Sequence, residues 1–174
     1  EKHPMDGVRF DSPIKAVDEI HFLTVSEQKA FLEVAKHSHN YAQYALILET
    51  GLRTGEVIGL TWDAIDWENH TLTVNKTMEF RHKQHEWRAG PPKTKKSYRT
   101  IPLTDIAYQI LRDLYLGREY RKEASELDKV LTYIDRRTAK QAELHMRDLV
   151  FINYRTGMPA KNSSYDTHLY KLCD

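Results

Sequence analysis

From Leu23 onward the apolar positions change period several times, and each change predicts an element. In LTVSEQKAFLEVAKHS the apolar residues Val25, Ala30, Phe31, Val34 and Ala35 keep helical spacing, and Thr24 stands three residues before Glu27, as in a capping box. YAQYALILET is apolar enough for a second helix buried on most sides, with Gly51 suited to a left-handed residue just past its last turn. A short third helix is expected from Thr54 as cap through Leu60, with Glu56 in the first turn, where a carboxylate suits the helix dipole. TLTVNKTMEF and SYRTIPL are rich in β-branched residues. Gly90, Pro91 and Pro92 break the stretch between them, which predicts an exposed hairpin or three-stranded sheet with a basic tip. Helical spacing returns at Asp105, where Ile106, Ile110, Leu111, Leu114 and Tyr115 form a stripe read as core. Gly117 is expected to break that helix, and the charged segment up to Asp148 to continue as more than one helix. LVFIN reads as a short buried strand, YRTGMPAK as a turn, and Ser163 to Leu172 as a last helix. Glu1 to Asp18, with Pro4, Gly7 and Pro13 and no sustained period, reads as an extended linker. The expectation is a mixed α+β chain, mainly helical, with a small antiparallel sheet or hairpin: a linker over 1–18 and one domain from 19 to 174.

Composition narrows this only partly. A chain of 174 residues with 40% hydrophobic residues can bury a sizeable core. Its apolar runs are far short of the roughly 20 residues a bilayer crossing needs, and the first ten residues lack a secretory core, so a cytoplasmic protein with no membrane partner is expected. The single cysteine, Cys173, excludes an internal disulfide and a thiolate metal cage. The His37/His39 and His82/His85 pairs lack carboxylate or thiol partners at ligand spacing and read as surface histidines. Net charge is +1, so the total names no partner, but the distribution is uneven. Eight Lys or Arg and two acids lie between Lys76 and Arg99. Such a block is either a solvated face or a nucleic-acid contact.

Arg53 stands out, because it sits between Gly51 and Gly55 where a core helix would carry leucine or alanine. Residue chemistry leaves two readings open: an ion-pair partner of Glu49 or Glu56 that fastens two helices, or a cation presented to a ligand. Three stretches, TGLRTGEVIGLTWDAID, PPKTKKSYRTIPL and LVFINYRTGMPAKNSS, occur in an order that resembles the catalytic domain of tyrosine recombinases, specifically integrases of phages and conjugative transposons. The resemblance runs from Leu23 to the end, with one motif from Leu52 to Asp66 and another from Lys93 to Leu103. A charged insertion, roughly Arg118 to Arg147, interrupts it.

The resemblance implies a partial tyrosine recombinase catalytic-domain fold, double-stranded DNA and other recombinase subunits as partners, a bacterial setting, and no metal or cofactor. The implied reaction is site-specific recombination or integration of a mobile element, by strand cleavage and rejoining through a 3′-phosphotyrosine link. By it, Arg53 clamps the non-bridging phosphate oxygens, a task for which a planar guanidinium is better suited than an ammonium. Gly51 and Gly55 would leave room for the DNA backbone, and Glu56 would orient or neutralise the bend from behind. Lys93 would protonate the leaving 5′ oxygen, with Lys95 taking that role if the match shifts by two residues. Otherwise Lys95 and Lys96 would contact phosphates, in a patch completed by Lys76, Arg81, Lys83 and Arg99. Trp87 and Tyr98 are read as packing. His85 to Arg88 has the spacing of the family's His-x-x-Arg but precedes Lys93, and no second arginine motif precedes Tyr154, Tyr165 or Tyr170. The nucleophile is therefore expected outside this chain, which would be the amino-terminal portion of a catalytic domain and inactive alone. The alternative is a noncatalytic DNA-binding or regulatory relic of a recombinase.

Overall fold

A computed structural model of the chain describes residues 22–92, 94–120, 127–153 and 156–173. The linker expected over 1–18, Lys93 and Tyr154 lie outside these. Helix α1, Val25–Ala35, starts at the expected capping box: Thr24 Oγ1 accepts from the Glu27 N–H at 3.3 Å, and the Thr24 N–H donates back to Glu27 Oε2 at 2.7 Å. Helix α2, Tyr41–Thr50, ends at Gly51, whose φ of 64° is the left-handed geometry that suits glycine. Helix α3, Thr54–Ile58, is shorter than expected, and its N-cap is Arg53 rather than Thr54. Helix α4, Asp105–Gly117, is capped by the Thr104 hydroxyl, which accepts from the Ala107 N–H at 3.1 Å. It ends at Gly117, where a break was expected, and the chain passes directly into a 3-10 turn at Arg118–Tyr120. The stripe is rotated from the expected one: Ala107 and Leu111 are buried, whereas Ile106 is 58% exposed. Helix α5 spans Asn162–Cys173.

The strands depart further from expectation. TLTVNKTMEF is two strands in two sheets. Strands β1 (Ile65–Asp66), β2 (Thr71–Val74) and β5 (Arg99–Pro102) form an antiparallel sheet in the order β1-β2-β5, with Leu72 opposite Ile101. Strands β3 (Thr77–Arg81), β4 (Glu86–Gly90), β6 (Val130–Asp135) and β7 (Gln141–His145) form a second, in the order β3-β4-β6-β7, its central β4–β6 pair parallel. The described part of the charged insertion after its opening turn is therefore not helical but mainly a β-hairpin. Leu131 and Leu144 face each other across it and are buried, and that pairing outweighs the helix preference of its Glu, Lys, Arg and Ala residues. Leu149 to Asn153 forms no strand beyond a single bridge from Leu149 to Thr61, although it is largely buried as expected.

Two apolar cores result. One gathers Tyr44, Ile58, Met78, Trp87, Leu131 and Tyr165; the other gathers Leu46, Val57, Leu72, Val74, Leu111 and Phe151. Adjacent residues Val57 and Ile58 enter different cores, as do Leu149 and Val150, so α3 and the 149–152 segment run along the seam between them. The Val150 N–H donates to Leu60 O at 2.9 Å and ties these two segments together.

Helix α3 lies directly on β3. A Cβ at Gly55 would stand 2.7 Å from Thr77 Oγ1 and 3.1 Å from Met78 O, whereas one at Gly117 would meet nothing within 4 Å. Gly55→Ala should cost about 1–3 kcal/mol by overpacking. Gly117→Ala should stabilise by about 0.5–1 kcal/mol, because the backbone there is helical and unobstructed. Urea unfolding of both variants checks the contrast.

Candidate active site

The bend between α2 and α3 carries the candidate chemistry. After the left-handed Gly51, Leu52 turns into the core at 3% exposure and Arg53 takes extended backbone, φ −77° and ψ 153°. Its carbonyl accepts the first helical bonds from Glu56 and Val57, at 2.8 and 3.0 Å. The Glu56 carboxylate folds back over the bend, where Oε2 accepts from the Arg53 backbone N–H at 2.9 Å and Oε1 from Arg53 Nη1 at 3.3 Å. Glu49, the other carboxylate considered for Arg53, instead accepts from the Thr104 hydroxyl at 2.5 Å.

Arg99 closes the cluster from β5. Its guanidinium donates in parallel to both Glu56 oxygens, Nη1 to Oε1 at 3.0 Å and Nη2 to Oε2 at 2.9 Å, and to the carbonyls of Ser97 and Gly51. Burial works to raise the pKa of the Glu56 carboxyl. The hydrogen bonds from Arg99 and the Arg53 backbone, together with both positive charges, outweigh burial and hold the group below its ordinary value. Arg99 is raised in return, first through its hydrogen bond to Glu56. Glu56 is only 4% exposed, yet its negative charge is fully matched by Arg99. Arg53 is 72% exposed, and its remaining contact with Glu56 is single and long. Its fork thus faces outward.

It faces a groove of about 420 Å³ lined by Arg53, Thr77, Glu79, Pro92, Arg136 and Asn162, among others. Arg53 is accordingly neither core nor a simple fastener of α2 to α3. The glycines act differently from expectation. The space at Gly55 is filled by β3 rather than left for a ligand, and only Gly51 opens to solvent.

The described part of the basic block does not converge as a unit. Arg99, expected in the phosphate-binding patch, places both terminal nitrogens on Glu56. Lys76 is half-buried in a crevice beside Leu52, Glu56 and Val74. Arg81 is exposed but paired with Glu79 at 2.8 Å, and Lys83 lies in the β3–β4 turn beyond Arg81, which is itself roughly 13 Å along β3 from Thr77. Lys96 is exposed in a 3-10 turn, Lys95–Ser97, which precedes β5. Trp87 packs as expected, whereas Tyr98 is 57% exposed. Tyr165 is 5% exposed, and burial first, then the charge of Tyr44, raises its phenol above the ordinary range. Sequence reasoning missed Arg136. The signal for it was the alternation in VLTYID and AELHM about a DRRTAK turn.

Residues 21–173 match the phage integrase family. The chain belongs to the phage integrase family, the tyrosine recombinases. Among curated integrase relatives, the transposase from transposon Tn916 of Enterococcus faecalis is 31% identical over 110 residues, covering 61% of this chain and 27% of that protein. A tyrosine recombinase XerC-like protein of Caldanaerobacter subterraneus subsp. tengcongensis is 30% identical over 123 residues, covering 64% of this chain and 32% of its own length. Among solved structures, the Tn1549 transposon integrase in complex with transposon right end DNA superposes with a TM-score of 0.69 at 21% identity, over 99% of this chain and 50% of that one. The XerA recombinase gives 0.57 at 17% identity, covering 92% and 44%. The fold is thus that of the integrase catalytic domain, and the chain spans about half the length of these solved relatives. Among the described residues no helix is long and apolar enough to cross a membrane, and no cluster of three or more His, Cys, Asp or Glu could hold a metal.

Because folding lowers the Glu56 pKa, its ionised form contributes stability above the unfolded carboxylate range of about 4.3, and that contribution is lost as pH falls through the lower folded value. Glu56→Gln should cost about 2 kcal/mol or more in urea unfolding near neutral pH. The gap to the wild type should shrink as the pH is taken below about 4. A gap that does not vary with pH would assign the loss to packing instead.

Proposed function

We propose that this chain supplies the phosphate-clamping half of a DNA breaking-rejoining centre, in a recombinase that integrates or excises a mobile element through a 3′-phosphotyrosyl intermediate. The observation that carries this reading is the division of labour at the α2–α3 bend. Glu56 is buried and neutralised by Arg99, so Arg53 is held at its backbone while its guanidinium stands exposed in the groove. In a phosphodiester transfer the charge on the non-bridging oxygens grows toward the transition state, and a guanidinium already fixed in place stabilises that charge without reorganising. A neutralised Glu56 does not compete with the phosphate for Arg53.

Lys93, which falls between Gly90 and Arg99 in sequence, is the proton donor to the leaving 5′ oxygen in this reading, with Lys95 two residues on as the other candidate. Lys96, Lys83 and Lys76 add backbone contacts, while Arg81 stays on Glu79 and Arg99 acts on DNA only through Glu56 and the bend. Tyr165 is not the nucleophile in this reading, since its phenol is buried and raised. The tyrosine comes from residues outside this chain, which forms the amino-terminal portion of a catalytic domain acting as an oligomer on DNA. Support comes from family membership and from the coverage of only about half of the solved integrases.

In the product of the whole reading frame that encodes this chain, Arg53→Ala should lower cleavage of a nicked suicide duplex by at least about 100-fold. Binding of the same duplex should fall only a few-fold, since one phosphate contact among several is lost. Cleavage at the wild-type rate would remove Arg53 from the mechanism. Wild-type protein that binds the duplex and never cleaves it would instead favour a noncatalytic relic.

A further inference from the structure

The β6–β7 hairpin presses a second guanidinium into the groove that Arg53 faces. Arg136 sits in the hairpin turn, where its N–H donates to Ala89 O at 2.8 Å. A Cβ at Gly90 would stand 3.1 Å from Arg136 Cβ, so the turn rests on bare backbone at the end of β4. Thr77, which touches Gly55 of α3, is the register partner of Gly90. The Arg53 bend and the Arg136 turn therefore straddle one end of the β3–β4 pair, and both side chains line the same groove. The preceding residue stiffens the turn: Asp135 Oδ1 accepts from the N–H groups of Arg137 and Thr138, at 2.9 and 2.8 Å.

Among the described residues, the charges around this groove do not balance. Its two carboxylates are each already matched by an arginine from beside it, Glu56 by Arg99 and Glu79 by Arg81. Arg53 and Arg136 are left as surplus cations. Arg136 does contact Glu79, with Nη2 3.2 Å from Oε1, but Arg81 Nε and Nη2 both reach that same oxygen at 2.8 Å. If Arg136 turned toward another anion, Glu79 would keep its closer partner. Turning away would not strand a carboxylate, which is the usual cost of breaking a partly buried pair.

Resting on the reading of the groove as a DNA site, we propose that Arg136 is a second DNA-backbone ligand, binding a phosphate beside the one held by Arg53 and exchanging Glu79 for it when the duplex enters. Arg136 is not a catalytic residue in this scheme. It sets the register of the backbone that Arg53 engages, and the insertion carrying it is part of the binding surface.

The test is binding of a fluorescently labelled duplex to this chain, read by anisotropy across a salt series. One lost phosphate contact lowers the slope of log affinity against log salt by about 0.9, so between about 50 and 200 mM salt Arg136→Gln should lose affinity about 3-fold less steeply than wild type. Arg136→Lys, which keeps the charge but not the fork, should hold the wild-type slope at weaker overall binding. Arg53→Gln serves as the reference and should show its own reduced slope. A wild-type slope in Arg136→Gln alongside a reduced one in Arg53→Gln overturns this inference alone. Weaker binding at unchanged slope also overturns it, since it assigns Arg136 a purely structural part. Absence of duplex binding by the wild-type chain overturns the DNA reading of the groove and this inference together.

Discussion

A buried carboxylate governs this chain's architecture. Glu56 accepts four hydrogen bonds, two from Arg53 and two from Arg99, and in doing so joins the start of α3 to the first residue of β5, 43 positions away. An ionised group at 4% exposure is tolerable only because Arg99 meets both oxygens in a parallel fork. The same fork reaches Gly51 O and Ser97 O, so the end of α2, the start of α3 and the turn before β5 share a single cation. Once Arg99 has met this charge, Arg53 is free to point outward.

The two cores explain why this cluster is rigid. Helix α3 has only five residues and would not persist alone. It persists because Val57 and Ile58 anchor it in separate apolar clusters, and because Gly55 and Gly59 let it lie on the backbone of β3 without a side chain between. The groove is what remains between this seam and the second sheet. Its far wall comes from the β6–β7 hairpin, through contact of Arg136 with Gly90, so an insertion that interrupts the family motifs in sequence lines the same groove as Arg53 in space.

Much of this was legible in the residues. The capping box at Thr24 and Glu27, the left-handed stop at Gly51, the short helix bearing Glu56 and the final helix from near Ser163 all follow from local chemistry, and each lies within a few residues of its expected bounds. Failures came where partners are distant. TLTVNKTMEF has the composition of one strand, and nothing local marks the change of sheet between Val74 and Thr77. Residues 130–145 are rich in strong helix formers, yet they pair with each other and with β4. Ile106 fits the helical stripe, but α4 docks through Ala107 and Leu111.

The sequence by itself determined where helices start and stop, that Arg53 occupies a bend and not a helix interior, and which family motifs surround it, because caps, glycine geometry and motif spacing act over a few residues. Only the tertiary structure decided that Arg99 meets Glu56 in a parallel fork, that the gap at Gly55 is filled by β3, and that Arg136 shares a groove with Arg53. Those outcomes depend on which charges and backbones meet across sequence separations of 22 to 83 residues, as from Gly55 to Thr77 and from Arg53 to Arg136. Coulombic pairing and close packing act on distance in space, which no local pattern encodes.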